Sequence, residues 1–502
     1  MSTRTNTSAR VDLSKLSHRL SKNGQVNSPG VSLASKRKVE ELLLKDAEEH
    51  HCYFKGSIFH NHLSHRLLAA YDLGATADHL QKMYEDEAKS QKSIFREEGD
   101  REIVVDDGNW VQYLGNTSAY AAFVTFFADR IQKNGVAATL EEYLFSKEAN
   151  TSEKVMLVRL ISGAVHPFIQ LGYALEFGNE AMVAPALAQT AVHTPTGPQI
   201  YDFHWGSSGS AASDNQLSIF QLIEEVYAAP ELKPGPYEPD ALHSARLKGI
   251  LGKEEVVKKV RELCARFALP TSSESDNVNF DAQVDSTIHD LILAATLLTF
   301  AVSKPNRPPR LDFFLMHLVT SSLFLTPIKG ALRGEEDKLN LLRAFVPTLV
   351  LHVLSRGRPR IDVGVLEGYT GVPRPPVLGD KVRKLGREVI GSPEEDGDYN
   401  PWHAMHADVL YHPDTHHVKT FRTLLFTNRE YGGRDPVELP AGFRITPSPG
   451  SSTKGGVSVD GTVYTRAAGV LMNYMGWVTH EQDPREDWDR SALGWDEAWK
   501  ED

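Results

Sequence analysis

From Val39 onward the chain repeats apolar residues at three- and four-residue spacing and almost never alternates them, which commits it to helices rather than sheets. The spacing predicts helices over 39–50, 58–72, 75–95, 117–134, 138–146, 153–177, 180–192, 215–228, 253–267, 283–303, 311–326, 337–355 and 413–428. One stretch departs: Val457 to Tyr464 alternates around Asp460-Gly461 and predicts a small hairpin. No self-similarity recurs at the roughly 33- to 47-residue periods of stacked helical arrays. The expected architecture is all-α, a single large helical domain over 39–502. Its Pro- and Gly-rich stretches serve as surface connections, and an acidic C-terminal tail is expected to dock through Trp488, Trp495 and Trp499.

Charge narrows the partners. The chain carries −12, and its first 38 residues hold eight Lys/Arg against the single acid Asp12, so the remainder carries −19. The basic, serine-rich 1–38 segment is expected to be a disordered tail, with an organelle-targeting segment as the alternative to a cytoplasmic location. An acidic body is a poor fit to a phosphate backbone, so no nucleic-acid partner is expected. Two cysteines, Cys52 and Cys264, cannot build a disulfide framework or a cysteine-rich zinc site. The richest apolar runs, Leu291 to Val302 and Phe313 to Leu325, are short or interrupted, and no membrane span is expected.

Several cofactor loops are missing. No two glycines stand two apart, so the G-x-G turn that brings backbone amides against a dinucleotide pyrophosphate is absent, and no cofactor-binding loop is assigned. A G-x-x-x-x-G-K-[ST] phosphate loop and a G-x-S-x-G nucleophile elbow are absent as well. If the chain performs redox chemistry, a directly ligated metal leads.

The 20 histidines matter for where they stand. His62 and His65 are three apart in Ser57-Ile-Phe-His-Asn-His-Leu-Ser-His-Arg-Leu-Leu68, on one face if that stretch is helical. His166 precedes Pro167, expected to kink a helix and free a carbonyl. His193 closes the apolar run from Ala184 to Val192, and His317 sits in Asp312-Phe-Phe-Leu-Met-His317. Singly, each reads as a core imidazole satisfied by one partner. Jointly, a shared metal satisfies several buried rings at once, where an unpartnered ring costs roughly 1–3 kcal/mol. Further on, Pro413 and Asp414 start a helix on which His416 and Lys419 share a side. Lys419 reads either as a solvated lysine or, if buried beside imidazoles, as a neutral amine that adds CO2 and becomes an anionic carbamate ligand. Asp312 and Glu176 are candidate acceptors for ligand ring N–H groups.

In combination, His62-Leu-Ser-His65 with Leu67-Leu-Ala-Ala-Tyr-Asp-Leu-Gly-Ala75, Asn109-Trp-Val-Gln-Tyr-Leu-Gly115, His166-Pro-Phe-Ile, Leu187-Ala-Gln-Thr-Ala-Val-His193, Asp312-Phe-Phe-Leu-Met-His317 and Asp414-x-His416-x-x-Lys419 resemble the questin oxidase-like family, from about residue 55 to the end. The resemblance implies a fungal oxidase that opens an anthraquinone ring of an aromatic polyketide. It implies either O2 chemistry at a mononuclear non-haem Fe(II) or a Baeyer–Villiger-type insertion with NADPH. Gln170 departs from the second histidine that the resemblance leads one to expect. The expected metal set is His62, His166, His193, His317 and Lys419, the last carboxylated, with His65 and His416 either facing an anthraquinone substrate, to shuttle a proton or orient its phenolate, or supporting the ligands from behind. The non-enzymatic alternative is a helical polyketide-binding protein.

Overall fold

A computed structural model describes residues 11–55, 59–205, 215–271, 279–377, 385–446, 457–485 and 487–500. Helices dominate, and among the described residues four short strands form two two-stranded antiparallel sheets. Contacts divide the chain into two compact units, Met1–Ser207 with Phe324–Ala344, and Ser208–Leu323 with Phe345–Asp502. The last division falls inside the helix Glu335–Ser355. Two segments, Phe313–Ala331 and Glu335–Ser355, reach the length and mean hydropathy of a membrane span, and both are mostly buried inside the protein.

The first unit is built on Tyr120–Asn134, His166–Phe177 and Glu180–Val192, which pack on one another. The last two are buried at every residue except Glu180, so neither has a polar face. Small residues permit the close approach: a Cβ at Gly172 would lie 2.2 Å from the Phe324 ring. The predicted helix 153–177 is broken. Met156–Leu160 ends before Gly163, Ala164 and Val165, which take left-handed φ of 59°, 49° and 60°, and the next helix starts at His166. Pro167 therefore occupies a helix N-terminus, where its missing N–H costs nothing, and does not kink a helix interior. The predicted 58–72 helix likewise gives way to the strand Phe59–His60, paired with Tyr53–Lys55, and begins at Leu63.

Residues 1–10 of the expected tail lie outside the described residues. Beyond them the boundary sits earlier than composition suggests: Val11, Leu13, Leu16, Leu20 and Val26 are buried, and a capped helix, Leu33–Glu49, begins at Ser32. The cationic residues of this stretch concealed that spacing. Arg19 is mostly exposed yet pairs with buried Glu40 at 2.8 Å, and Glu40 also accepts from Leu20 N.

In the second unit Phe280–Phe300 packs on Phe313–Ser322, and Thr415–Tyr431 on both Phe313–Ser322 and Thr462–Met475. The predicted hairpin at Asp460-Gly461 is replaced. Val457–Val459 pairs with Val437–Leu439, and Asp460 accepts from Thr462 N, turning the chain into a helix. Trp488 and Trp499 of the acidic tail are buried as expected, with indole N–H bonds to Asp414 (3.0 Å) and Leu493 O (3.0 Å).

Candidate metal centre

In the first unit the chain enters the site through Asn61. Its Oδ1 accepts from Leu63 N (2.9 Å) and its Nδ2 donates to Asp46 (2.9 Å), which fixes His62 at the start of the helix Leu63–Asp72. His166 opens the helix that follows the left-handed run, and its Nδ1–H donates to Gly163 O at 2.6 Å. A neutral imidazole has one N–H, so this bond leaves the Nε2 of His166 as a lone pair. That nitrogen lies 2.8 Å from Nε2 of His62.

Two nitrogens bound at right angles to one ion at about 2.1 Å would stand about 3.0 Å apart, so the observed separation fits two adjacent positions of a metal coordination shell. A single proton donated by His62 would hold them at the same distance. The three left-handed residues before His166 are the kind of backbone strain that accumulates at functional sites, and Val165 is β-branched, where such φ is rarest.

Behind this pair lies a second network. His60 stacks flat on His166, rings 3.8 Å apart and 12° from parallel. Nε2 of His60 is 2.8 Å from Nε2 of His193, and the Tyr53 O–H donates to the same His193 nitrogen at 2.9 Å. His193 Nδ1–H donates to Gln189 O (2.6 Å), so its Nε2 is an acceptor. Burial pushes His193 down to about 4, against the Gln189 bond that favours its charged form, and the ring stays neutral. The structure thus gives the predicted ligand His193 to Tyr53 and His60, not to the His62–His166 pair. His65 is fully buried, stacked on Tyr173 (5.3 Å), with its ring 5.7 Å from that of His62.

In the second unit Asp312 caps the helix Phe313–Ser322, accepting from Phe314 N and Leu315 N, and forms a buried ion pair with Arg356 at 2.7 Å. His317 Nδ1–H donates to Phe313 O (2.7 Å), again directing Nε2 away from the helix. The rings of His317 and His416 are 5.1 Å apart, with ligand nitrogens inside 4.8 Å. His416 Nδ1 faces Asp414 Oδ2 at 3.7 Å.

Burial opposes ionisation of Asp414, but hydrogen bonds from His416, Trp488 and the His417 amide outweigh it and hold the carboxyl below its ordinary value. Burial and then the charge of Lys419 push His416 down. Lys419 itself is 1% exposed, so the solvated-lysine reading does not hold. A buried lysine needs neutralisation or compensating partners.

Asp312 serves Arg356 and the helix cap, Glu176 accepts from Gln25 N, and the ring N–H groups of His166 and His317 go to Gly163 O and Phe313 O. Backbone carbonyls play that part, and no side-chain pattern announces them. His60 and Tyr53 were missed. The signal available was the spacing His60-Asn-His62-x-x-His65, in which three imidazoles crowd six residues.

Buried, carbonyl-tethered imidazoles on apolar helices mark the chain as a histidine-rich helical protein. The questin oxidase-like family pattern matches residues 59–424, and the chain belongs to that family. It is 26% identical over 408 residues to the Baeyer-Villiger oxidase AgnL3 of Paecilomyces divaricatus, covering 80% of each chain. It is 28% identical over 398 residues to a questin oxidase of Aspergillus fumigatus, covering 76% of this chain and 79% of that one. It is 30% identical over 305 residues to the Baeyer-Villiger monooxygenase dmxR6 of a Cryptosporiopsis species, covering 60% of this chain and 64% of that one. These relatives are oxidative enzymes by name.

Proposed function

We propose that this chain is an oxidoreductase that cleaves a C–C bond of an anthraquinone-type polyketide ring with O2 at a mononuclear non-haem iron. Candidate ligands are His62 and His166 in the first unit, and His317, His416 and a carboxylated Lys419 in the second. The observation that carries this reading is that each unit on its own offers an imidazole pair in which a ring is locked by an Nδ1–H bond to a backbone carbonyl, at Gly163 and at Phe313. That bond fixes the tautomer in which Nε2 is a metal donor.

Iron so held would bind O2 beside the substrate and act as its activator. The chain's own residues do the rest. Carbonyl tethers keep the imidazoles aimed. Lys419, once carboxylated, supplies an anionic oxygen where a lysine would otherwise repel a cation. His65, buried beside His62, is the group placed to hold a proton for the substrate's phenol. His193 is reassigned to support His166 through His60, because its Nε2 already accepts from Tyr53 and His60.

The relatives' Baeyer-Villiger names favour a second reading for the same substrate class. Inserting one oxygen atom sends the other to water and consumes two electrons, which NADPH would supply. Cleavage that leaves both atoms in the product needs no reductant. The deciding experiment follows O2 uptake by iron-loaded protein with a hydroxyanthraquinone, with and without NADPH. Uptake independent of NADPH supports the first reading, and uptake matched by NADPH oxidation the second. Tight binding of the quinone without turnover under either condition overturns both in favour of a carrier.

A further inference from the structure

The family pattern ends at residue 424, yet a segment far beyond it reaches the elements that carry His317 and His416. Residues 487–491 of the acidic tail run alongside 311–313: Phe313 N–H donates to Asp489 O (2.7 Å) and Asp489 N–H to Leu311 O (3.0 Å). Asp489 forms an ion pair with Arg310 at 2.6 Å, and Arg356 donates to Arg490 O at 2.8 Å. The guanidinium of Arg490 covers the Phe313 ring at 4.3 Å. Phe313 in turn stands edge-on to His317 (4.7 Å) and His416 (5.0 Å). Beside it, the Trp488 indole N–H donates to Asp414 Oδ1 (3.0 Å), and the His417 amide N–H to the same oxygen (2.7 Å).

With Oδ1 occupied twice, the carboxylate of Asp414 can turn only Oδ2 toward His416 Nδ1. A carboxylate 3.7 Å from Nδ1 favours the proton there electrostatically and leaves Nε2 as the lone pair. The tail therefore touches both histidine-bearing elements of this unit, one through backbone pairing and one through an indole.

We propose that the C-terminal tail is a positioning strap for the imidazole pair, with Trp488, acting through Asp414, setting the tautomer and ring plane of His416, and Arg490, acting through Phe313, bracing both rings. Its consequence for metal binding rests on the reading of His416 as a ligand; the tautomer it imposes does not. Trp488→Phe keeps the aromatic bulk and removes the N–H. Trp499→Phe removes another tail indole N–H, one that donates to Leu493 O with no path to Asp414.

In metal-free protein labelled with 15N-histidine, the wild type and Trp499→Phe should show His416 protonated at Nδ1. Trp488→Phe should show a mixture of tautomers. In cobalt(II)-loaded protein challenged with a chelator, Trp488→Phe should release the ion about 10-fold faster than wild type, in the range typical of lost outer ligand partners, and shift the cobalt visible bands. Trp499→Phe should stay within about 2-fold. An unchanged His416 tautomer in folded Trp488→Phe, or equal effects from both variants, overturns the strap. A changed tautomer in Trp488→Phe, together with a wild type that takes up no cobalt, sustains the strap and removes the metal reading instead.

Discussion

Gly163 is the position where the account is most exposed to a single methyl group. Its φ of +59° is left-handed, and a Cβ there would lie 2.4 Å from His193 Cδ2 and 2.5 Å from His193 Nε2. Ordinary contact starts near 3.4 Å, so Gly163→Ala forces the imidazole back by about 1 Å, which overpacked cores resist at about 1–3 kcal/mol. The left-handed backbone adds about 1–2 kcal/mol for a residue with a Cβ. The two contributions can be separated by a double-mutant cycle with His193→Ala, which removes the ring but not the backbone requirement.

Urea unfolding of the four proteins should show Gly163→Ala costing about 2–5 kcal/mol in the wild-type background and about 1–2 kcal/mol with His193 truncated. Because Gly163 O also accepts from His166 Nδ1, the single variant should lose metal affinity along with stability. Additive effects within about 0.5 kcal/mol would refute the packing of His193 against this turn and the argument that only glycine fits it.

Other outcomes follow from the same geometry. Asp312→Ala leaves Arg356 as a buried unpaired charge and uncaps the helix bearing His317, so it should cost about 3–5 kcal/mol by denaturant titration. Burial lowers His352 from 6.5 to about 4, so between those pH values the unfolded chain binds a proton that the folded one refuses. Stability should fall on acidification through that window by on the order of 3 kcal/mol from this residue, and the fall should be smaller in His352→Gln. Lys419→Met should lower retained metal, and intact-protein mass spectrometry under mild conditions should find one CO2 on the wild type and none on the variant. His60→Phe, which preserves an aromatic face against His166, should retain metal better than His60→Ala when both face a chelator.

The helical class was legible because apolar periodicity is a local signal, and the strongest runs became buried helices much as spaced. What failed was also local, but opposite in kind. The break before His166 comes from three left-handed residues, of which Ala164 and Val165 disfavour that conformation, so tertiary contacts impose what propensity argues against. The hairpin at Asp460-Gly461 failed because an aspartate two residues before Thr462 competes as a turn and helix-start residue. For the site, apolar surroundings singled out His62, His65, His166, His193 and His317, but surroundings alone cannot say which buried ring faces which. That His193 faces Tyr53 and His60 rests on distances that exist only in the fold. The carbonyls at Gly163 and Phe313 that fix two tautomers carry no sequence signature at all.

Elemental analysis of protein expressed with iron and purified without oxygen tests the central claim most directly. The account predicts stoichiometric iron in the wild type, lost on His166→Ala and on His317→Ala. Retention of iron by both variants, or a metal-free wild type that turns over an anthraquinone at full rate, would contradict it.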